Sequence, residues 1–236
     1  MTNVLAVEEI HIGTHPTVEI AGVSLNIDTI ASTVVAGLIV VGFGLYLSSR
    51  ATSGVPGKPQ LVWEGVITWV QKEVDANIGK SAPYVVPIAV SLFFFILIAN
   101  WIEIVPTDHA VPAPTADVNL TAALALLVIV WVHIVGIRRR GVGNYIKHFF
   151  QPYWLMFPIN LIEEIAKPVT LALRLFGNIF AGGLMITLIA LFPVAMIPVP
   201  NAAWKLFDMF IGVIQAFIFA LLTILYFAFA LQSEEH

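Results

Sequence analysis

Arg174 lies in the middle of a long apolar run, with Leu171, Ala172 and Leu173 before it and Leu175 and Phe176 after it. An arginine at the centre of a membrane helix costs about 2.5–3.5 kcal/mol on insertion scales. No acidic residue lies within two helical turns of it in its own segment. Snorkelling to the nearer interface is the alternative reading. It fits badly, because Glu163, Glu164 and Lys167 already mark that end of the segment. An arginine does not deprotonate in a protein, so it cannot relay a proton. It can act as a fixed cation. At about 4 Å and an effective dielectric near 20, it attracts a carboxylate by on the order of 4 kcal/mol, roughly 3 pKa units. The chemistry this allows is forced deprotonation of a carboxyl group brought to it by a partner.

Around Arg174 the helical period builds a face. At 100° per residue, Glu163, Lys167, Thr170, Arg174 and Asn178 fall within about 40° of one line. Gly177 and Ala181 lie beside it, and small residues let a partner helix approach closely. On the next segment Asp208, Gly212, Gln215 and Tyr226 make a second stripe, from which Gln215 is placed to hydrogen-bond Arg174. For Asn178 or Gln215 alone, ordinary helix–helix hydrogen bonding is an equal reading.

The elements that position these residues follow from composition. Of 236 residues, 59% are hydrophobic and 11% charged. Soluble domains average about 45–50% and 25%. A soluble enzyme is therefore disfavoured, disorder is excluded, and a net charge of −4 argues against nucleic acid as a partner. There are no cysteines, so disulfides and Cys-based metal sites are absent. The class that remains is an all-α polytopic membrane protein.

Five runs satisfy the length of about 20 apolar residues that a bilayer requires. They are 29–49, 81–102, 118–137, and two longer ones read as helices over 158–192 and 202–231. These last two would be roughly 50 and 45 Å long against a core of about 30 Å. They must tilt or kink, and the Pro193–Pro200 turn makes them an antiparallel hairpin. Over 61–78, Val62, Val66, Trp69 or Val70, Val74 and Ile78 recur at helical spacing. This predicts a helix on the membrane surface; a short soluble-facing loop helix is the alternative. Residues 1–28 carry Glu8, Glu9, Glu19 and Asp28 but no base, and read as an acidic tail rather than a cleaved signal. Arg50, Lys58, Arg138, Arg139, Arg140 and Lys147 all follow the first and third spans. That places the N-terminus outside and the C-terminus in the cytoplasm.

The segment Lys167–Pro168, Leu173-Arg174-Leu175-Phe176-Gly177-Asn178 and Ala181–Gly182 resembles subunit a of F-type ATP synthases. So do Gln215-Ala216-Phe217-Ile218-Phe219, Leu222–Thr223 and Tyr226, together with Asn100–Trp101 and Asp117-Val118-Asn119. The resemblance runs from about Val62 to Tyr226. It implies the stationary half of a rotary proton turbine in a bacterial plasma membrane. The hairpin would face a ring of c subunits, each with one carboxylate, and b-type peripheral-stalk subunits would be further partners. Two half-channels would lead to the ring from opposite sides. Arg174 would pair with each ionised ring carboxylate and block leakage. Each charge crossing gains about 2.3 kcal/mol per 100 mV.

By the same resemblance Asn178, Gln215 and Tyr226 belong to the interface, and Glu163 and Glu164 to the cytoplasmic exit. Glu103, Asp108, His109, Asp117 and Asn119 are candidates for the outer entrance, though acids there equally fit a solvated loop. Two positions depart from the family pattern. Gly183 stands where many members have an acid, and Asp208 stands near a common histidine position. The entrance acid is thus expected to have moved from one hairpin arm to the other. No cofactor or metal is implied. A stand-alone transporter or channel is the alternative function, disfavoured by the absence of an internal repeat and of an acid matching Arg174 in depth. His109 and His133 lack haem or zinc spacing, and His133 reads as a hydrogen-bonded structural residue.

Overall fold

Residues 17–20, 23–52, 56–79, 82–102, 114–148, 150 and 153–231 are described in a computed structural model. Seven helices account for nearly all of them: α1 (Ile27–Arg50), α2 (Lys58–Asn77), α3 (Val85–Ile102), α4 (Val118–Arg140), α5 (Val142–His148), α6 (Phe157–Ala190) and α7 (Pro198–Leu231). Five of these, α1, α3, α4, α6 and α7, are long and apolar enough to cross a membrane. Helices are the expected answer in lipid, where every backbone N–H and C=O must find its partner within the segment. The fold is all-α in class. One exception within the N-terminal stretch was not foreseen. Strands β1 (Thr17–Ile20) and β2 (Val23–Asn26) pair antiparallel, with Thr17 opposite Asn26 and Ile20 opposite Val23.

The helix ends carry their own signals. Asp117 caps α4 by accepting the Asn119 backbone N–H at 2.8 Å, and Arg138–Arg140 fill its last turn. Both arrangements complement the helix dipole. Gly141 then stops the helix at φ 76°, a conformation glycine adopts at little cost. Proline sits in the first turn of α2, α6 and α7, where its missing N–H costs nothing. Pro168, by contrast, lies inside α6 and leaves the Glu164 carbonyl without its usual helical donor.

α3 is the centre of the bundle. Its Ala89, Val90, Leu92, Phe93, Phe94, Ile96 and Ala99 are buried, and it shares its largest interface with α7. Hydrophobic transfer gives no drive between helices in lipid, so association depends on close packing and hydrogen bonds. Ala216, Ala220 and Ala228 of α7 supply that closeness, and Phe219 and Phe227 fill the gaps between them. α6 packs mainly on α4, more than on its hairpin mate α7, and buries Leu171 and Leu175 in the common core. α1 buries only Thr29, Ser32, Ala36 and Leu47, and its Val34, Leu38, Val41 and Leu45 face outward as a lipid-facing helix should.

α2 buries Val70 and Val74 against this core. Trp63 stacks on Phe94 at 4.2 Å and Trp69 on Phe217 at 4.5 Å between ring centroids. Val62 departs from the expected stripe, being 65% exposed. The two tryptophans, rather than a strict aliphatic line, set the rotation of α2.

Candidate functional site

α6 and α7 carry the polar residues singled out by sequence, and the structure sorts them into three groups. The first is centred on Arg174. With Leu171 and Leu175 buried in the common core, the α-helical period turns Leu173 and Arg174 outward; Leu173 is 58% exposed. Among the described residues Arg174 makes no ion pair and donates no hydrogen bond. Tyr226 of α7 lies within its electrostatic reach. Gly177 and Ala181 are exposed beside it, and a Cβ added at Gly177 or Gly183 would meet nothing within 4 Å. The result is an open strip of small residues beside an unpaired guanidinium, flanked by exposed Phe180, Leu184 and Leu188.

Gln215 does not reach this strip. It is 6% exposed, and its Nε2 is buried without a partner among the described residues. The hydrogen bond expected across the hairpin is not formed, because α7 turns Gln215 toward the bundle rather than toward α6. Gly212, one turn earlier, is also inward. Its Cβ position lies 3.2 Å from Asn100 Cβ, so this glycine is needed for the α3–α7 contact. Asn100 accepts the Thr115 hydroxyl at 3.1 Å while its own Nδ2 has no partner among the described residues, and Trp101 Nε1 donates to the Met209 carbonyl at 3.3 Å. Half-buried Asp208 sits one turn before Gly212 on the same helix and makes no hydrogen bond among the described residues. Asn100 and Gln215 thus form a second polar group, on α3 and α7, and the helical period puts Asp208 on the same side of α7 as Gly212 and Gln215.

The packing at Gly212 is testable. Gly212→Val should cost about 1–3 kcal/mol through overpacking, whereas Gly183→Val, facing open space, should cost little. Thermal denaturation of the purified protein in detergent measures both. Equal midpoints would contradict the placement of Gly212.

The third group lies toward the Arg138–Arg140 end of the bundle. Lys167 Nζ donates to Glu164 Oε2 at 2.7 Å and approaches Glu163 Oε1 at 3.9 Å. The Lys167 ammonium also sits 5.9 Å from the centre of the Tyr226 ring. His133 of α4 joins this group: its Nε2 stands 3.5 Å from Glu164 Oε1, and its Nδ1 lies 2.8 Å from the Ile129 carbonyl. The reading of His133 as hydrogen-bonded holds, but its contact with Glu164 was missed. No local signal could have found it, since 31 residues separate the two on different helices.

At the opposite end, Asp117 is buried. It accepts Asn26 Nδ2 at 2.6 Å, the Thr29 hydroxyl at 2.9 Å and the Asn119 N–H, tying the start of α1 to the start of α4. The Asn119 side chain is exposed. Asn178 is half-buried on α6, one turn beyond Arg174. Glu103, Asp108 and His109 lie outside the described residues. Among the described residues no group of three His, Asp or Glu could hold a metal ion.

A bundle of five helices long and apolar enough to cross a membrane, one of them carrying an exposed arginine beside small residues, has the character of a multi-pass membrane protein. Comparison with known proteins gives the family. The family model for the ATP synthase A chain matches residues 30–228. ATP synthase subunit a of Acidothermus cellulolyticus is 55% identical over 237 residues, covering 99% of this chain and 87% of the relative. That of Mycobacterium bovis is 48% identical, covering 100% and 99%. That of Desulforamulus reducens is 38% identical, covering 92% and 84%. The chain belongs to the ATP synthase subunit a family.

Proposed function

We propose that this chain is the proton-conducting stator subunit of a rotary ATP synthase, not an enzyme by itself, and that Arg174 is its essential group. The observation that carries the reading is the unpaired Arg174 beside open Gly177 and Ala181 on an exposed apolar helix face. A lone cation in lipid is costly, so its counter-charge must come from another chain. A ring of c subunits, each carrying one carboxylate, supplies it. Arg174 drives each arriving carboxyl group to ionise and separates two half-channels.

The two remaining polar groups suit those half-channels. Asp208, Asn100 and Gln215 face the side that basic-residue bias assigns to the outside. Glu163, Glu164, Lys167 and Tyr226 face the cytoplasmic side. Asp117 has three donors on its carboxylate, which suits a latch between α1 and α4 better than a mobile proton carrier. The b-type stalk subunits and the bilayer are the other partners.

Gly177→Leu tests the docking face. The added side chain meets open space in this chain, so the subunit should stay folded. Against a ring helix it is overpacked by about 1–3 kcal/mol, so retention of the ring on purification should fall about tenfold. Full ring retention with normal ATP synthesis would mean that this face does not meet the ring.

A further inference from the structure

The His133–Glu164 contact carries an inference about how protons leave. It rests on the proposed function, which places this end of the bundle at the cytoplasmic side. The ring nitrogens of His133 have different partners. Nδ1 lies 2.8 Å from the Ile129 carbonyl, which can only accept, so Nδ1 carries the hydrogen. In the neutral imidazole Nε2 is then a bare lone pair. It faces Glu164 Oε1 at 3.5 Å, and an ionised carboxylate also offers only lone pairs. Two acceptors face each other, an arrangement that one added proton converts into attraction. Meanwhile Lys167 occupies the other carboxylate oxygen, Oε2, at 2.7 Å.

We propose that His133 and Glu164 jointly hold one proton between Arg174 and the cytoplasm, and that His133 is the proton-transfer residue through which it leaves. A proton arriving on Glu164 Oε1 passes to His133 Nε2. The bond to oxygen breaks as the bond to nitrogen forms, leaving Glu164 as a carboxylate held by Lys167. The imidazolium then gives its Nε2 proton to water. The His133 side chain is 29% exposed and that of Glu164 19%, so the histidine is the more accessible partner. Glu164 is ten residues from Arg174, roughly 15 Å along α6, and Tyr226, near both Arg174 and Lys167, spans part of that interval.

The other groups facing His133 do not compete for this proton. Tyr145 of α5 sits edge-on at 5.9 Å between ring centroids. Burial first, and the Glu164 charge second, push the Tyr145 phenol above its ordinary pKa, against the opposing pull of Arg140, so it stays neutral. Gly136 makes room for that ring: a Cβ there would fall 2.7 Å from the Tyr145 Cε2. Lys167 is held by Glu164 Oε2 and sits over the ring of Tyr226 of α7.

The test uses the assembled complex in inverted membrane vesicles, where the cytoplasmic side faces the medium. ATP-driven proton uptake is measured against external pH for wild type, His133→Gln and His133→Phe, with and without added imidazole. Glutamine keeps a polar group but cannot carry the proton. Uptake should fall about tenfold in both variants, because nearby water replaces the histidine only in part. The pH-dependent limb belonging to the pair should disappear, and imidazole should restore part of the rate. Wild-type rate and profile in His133→Gln would overturn the proposal. So would a loss that is equal at every pH and unrescued, which marks a packing role. Arg174→Ala serves as the separate arm. Full proton flux in that variant removes the proposed function itself, whereas lost flux there with an unchanged His133→Gln removes only the exit role.

Discussion

Arg174→Ala is expected to abolish proton-coupled ATP synthesis while the complex still assembles. The physical argument is the change in the ionisation of the ring carboxyl. At about 4 Å the guanidinium favours the ionised form by on the order of 4 kcal/mol, so its removal lowers that population about a thousandfold in the apolar interface. The side chain is exposed, it makes no hydrogen bond or ion pair among the described residues, and its truncation leaves the buried Leu171 and Leu175 untouched. Loss of folding is therefore not the expected route to loss of function. The measurement is ATP synthesis by reconstituted vesicles under an imposed proton gradient, with co-purification of the ring as the assembly control. Wild-type synthesis by an assembled Arg174→Ala complex would refute the central role of this residue.

Asp208→Asn should reduce proton flux by about a hundredfold, the lower end of what a positioned proton acceptor contributes. Asparagine has nearly the same shape, and Asp208 makes no hydrogen bond among the described residues for the change to break. The fold should therefore survive while the ability to take up a proton is lost. Position adds to the case. Asp208 lies seven residues before Gln215, roughly 10 Å along α7. Asn100 and Gln215 each keep a buried donor without a partner in the group it belongs to. Buried donors of this kind ordinarily find a partner or a water, so Asn100 and Gln215 are suited to hold water on the inward side of Asp208. Unchanged ATP-driven proton pumping by Asp208→Asn would place the entrance acid elsewhere.

Gly183, where the resemblance to the family leads one to expect an acid, faces open space on α6, while Asp208 is half-buried on α7. The exchange of an acid between the two arms would therefore also move it to a half-buried position on α7.

Much was legible in the chain itself. Five helices long and apolar enough to span a membrane follow from composition and run length, because lipid leaves the backbone no alternative to internal hydrogen bonding. Arg174 stood out for the related reason that an ionised side chain at that depth is costly enough to require a purpose. Its stripe on α6 was also predictable, since the helical period alone decides which residues share a face.

What the sequence could not decide was which way each face turns and which helix lies against it. Gln215 and Gly212 read as partners of the Arg174 strip, yet both turn inward, because Asn100 of α3 takes the place against Gly212. Val62 read as part of a buried line, yet stacked tryptophans set the rotation of α2. The pairing of His133 with Glu164 exists only because α4, rather than α7, is the main neighbour of α6. Local pattern determines helices and their faces, since those depend on residues three or four apart. Contacts between helices depend on packing over the whole bundle, where one small residue such as Gly136 or Gly212 decides how closely two segments meet.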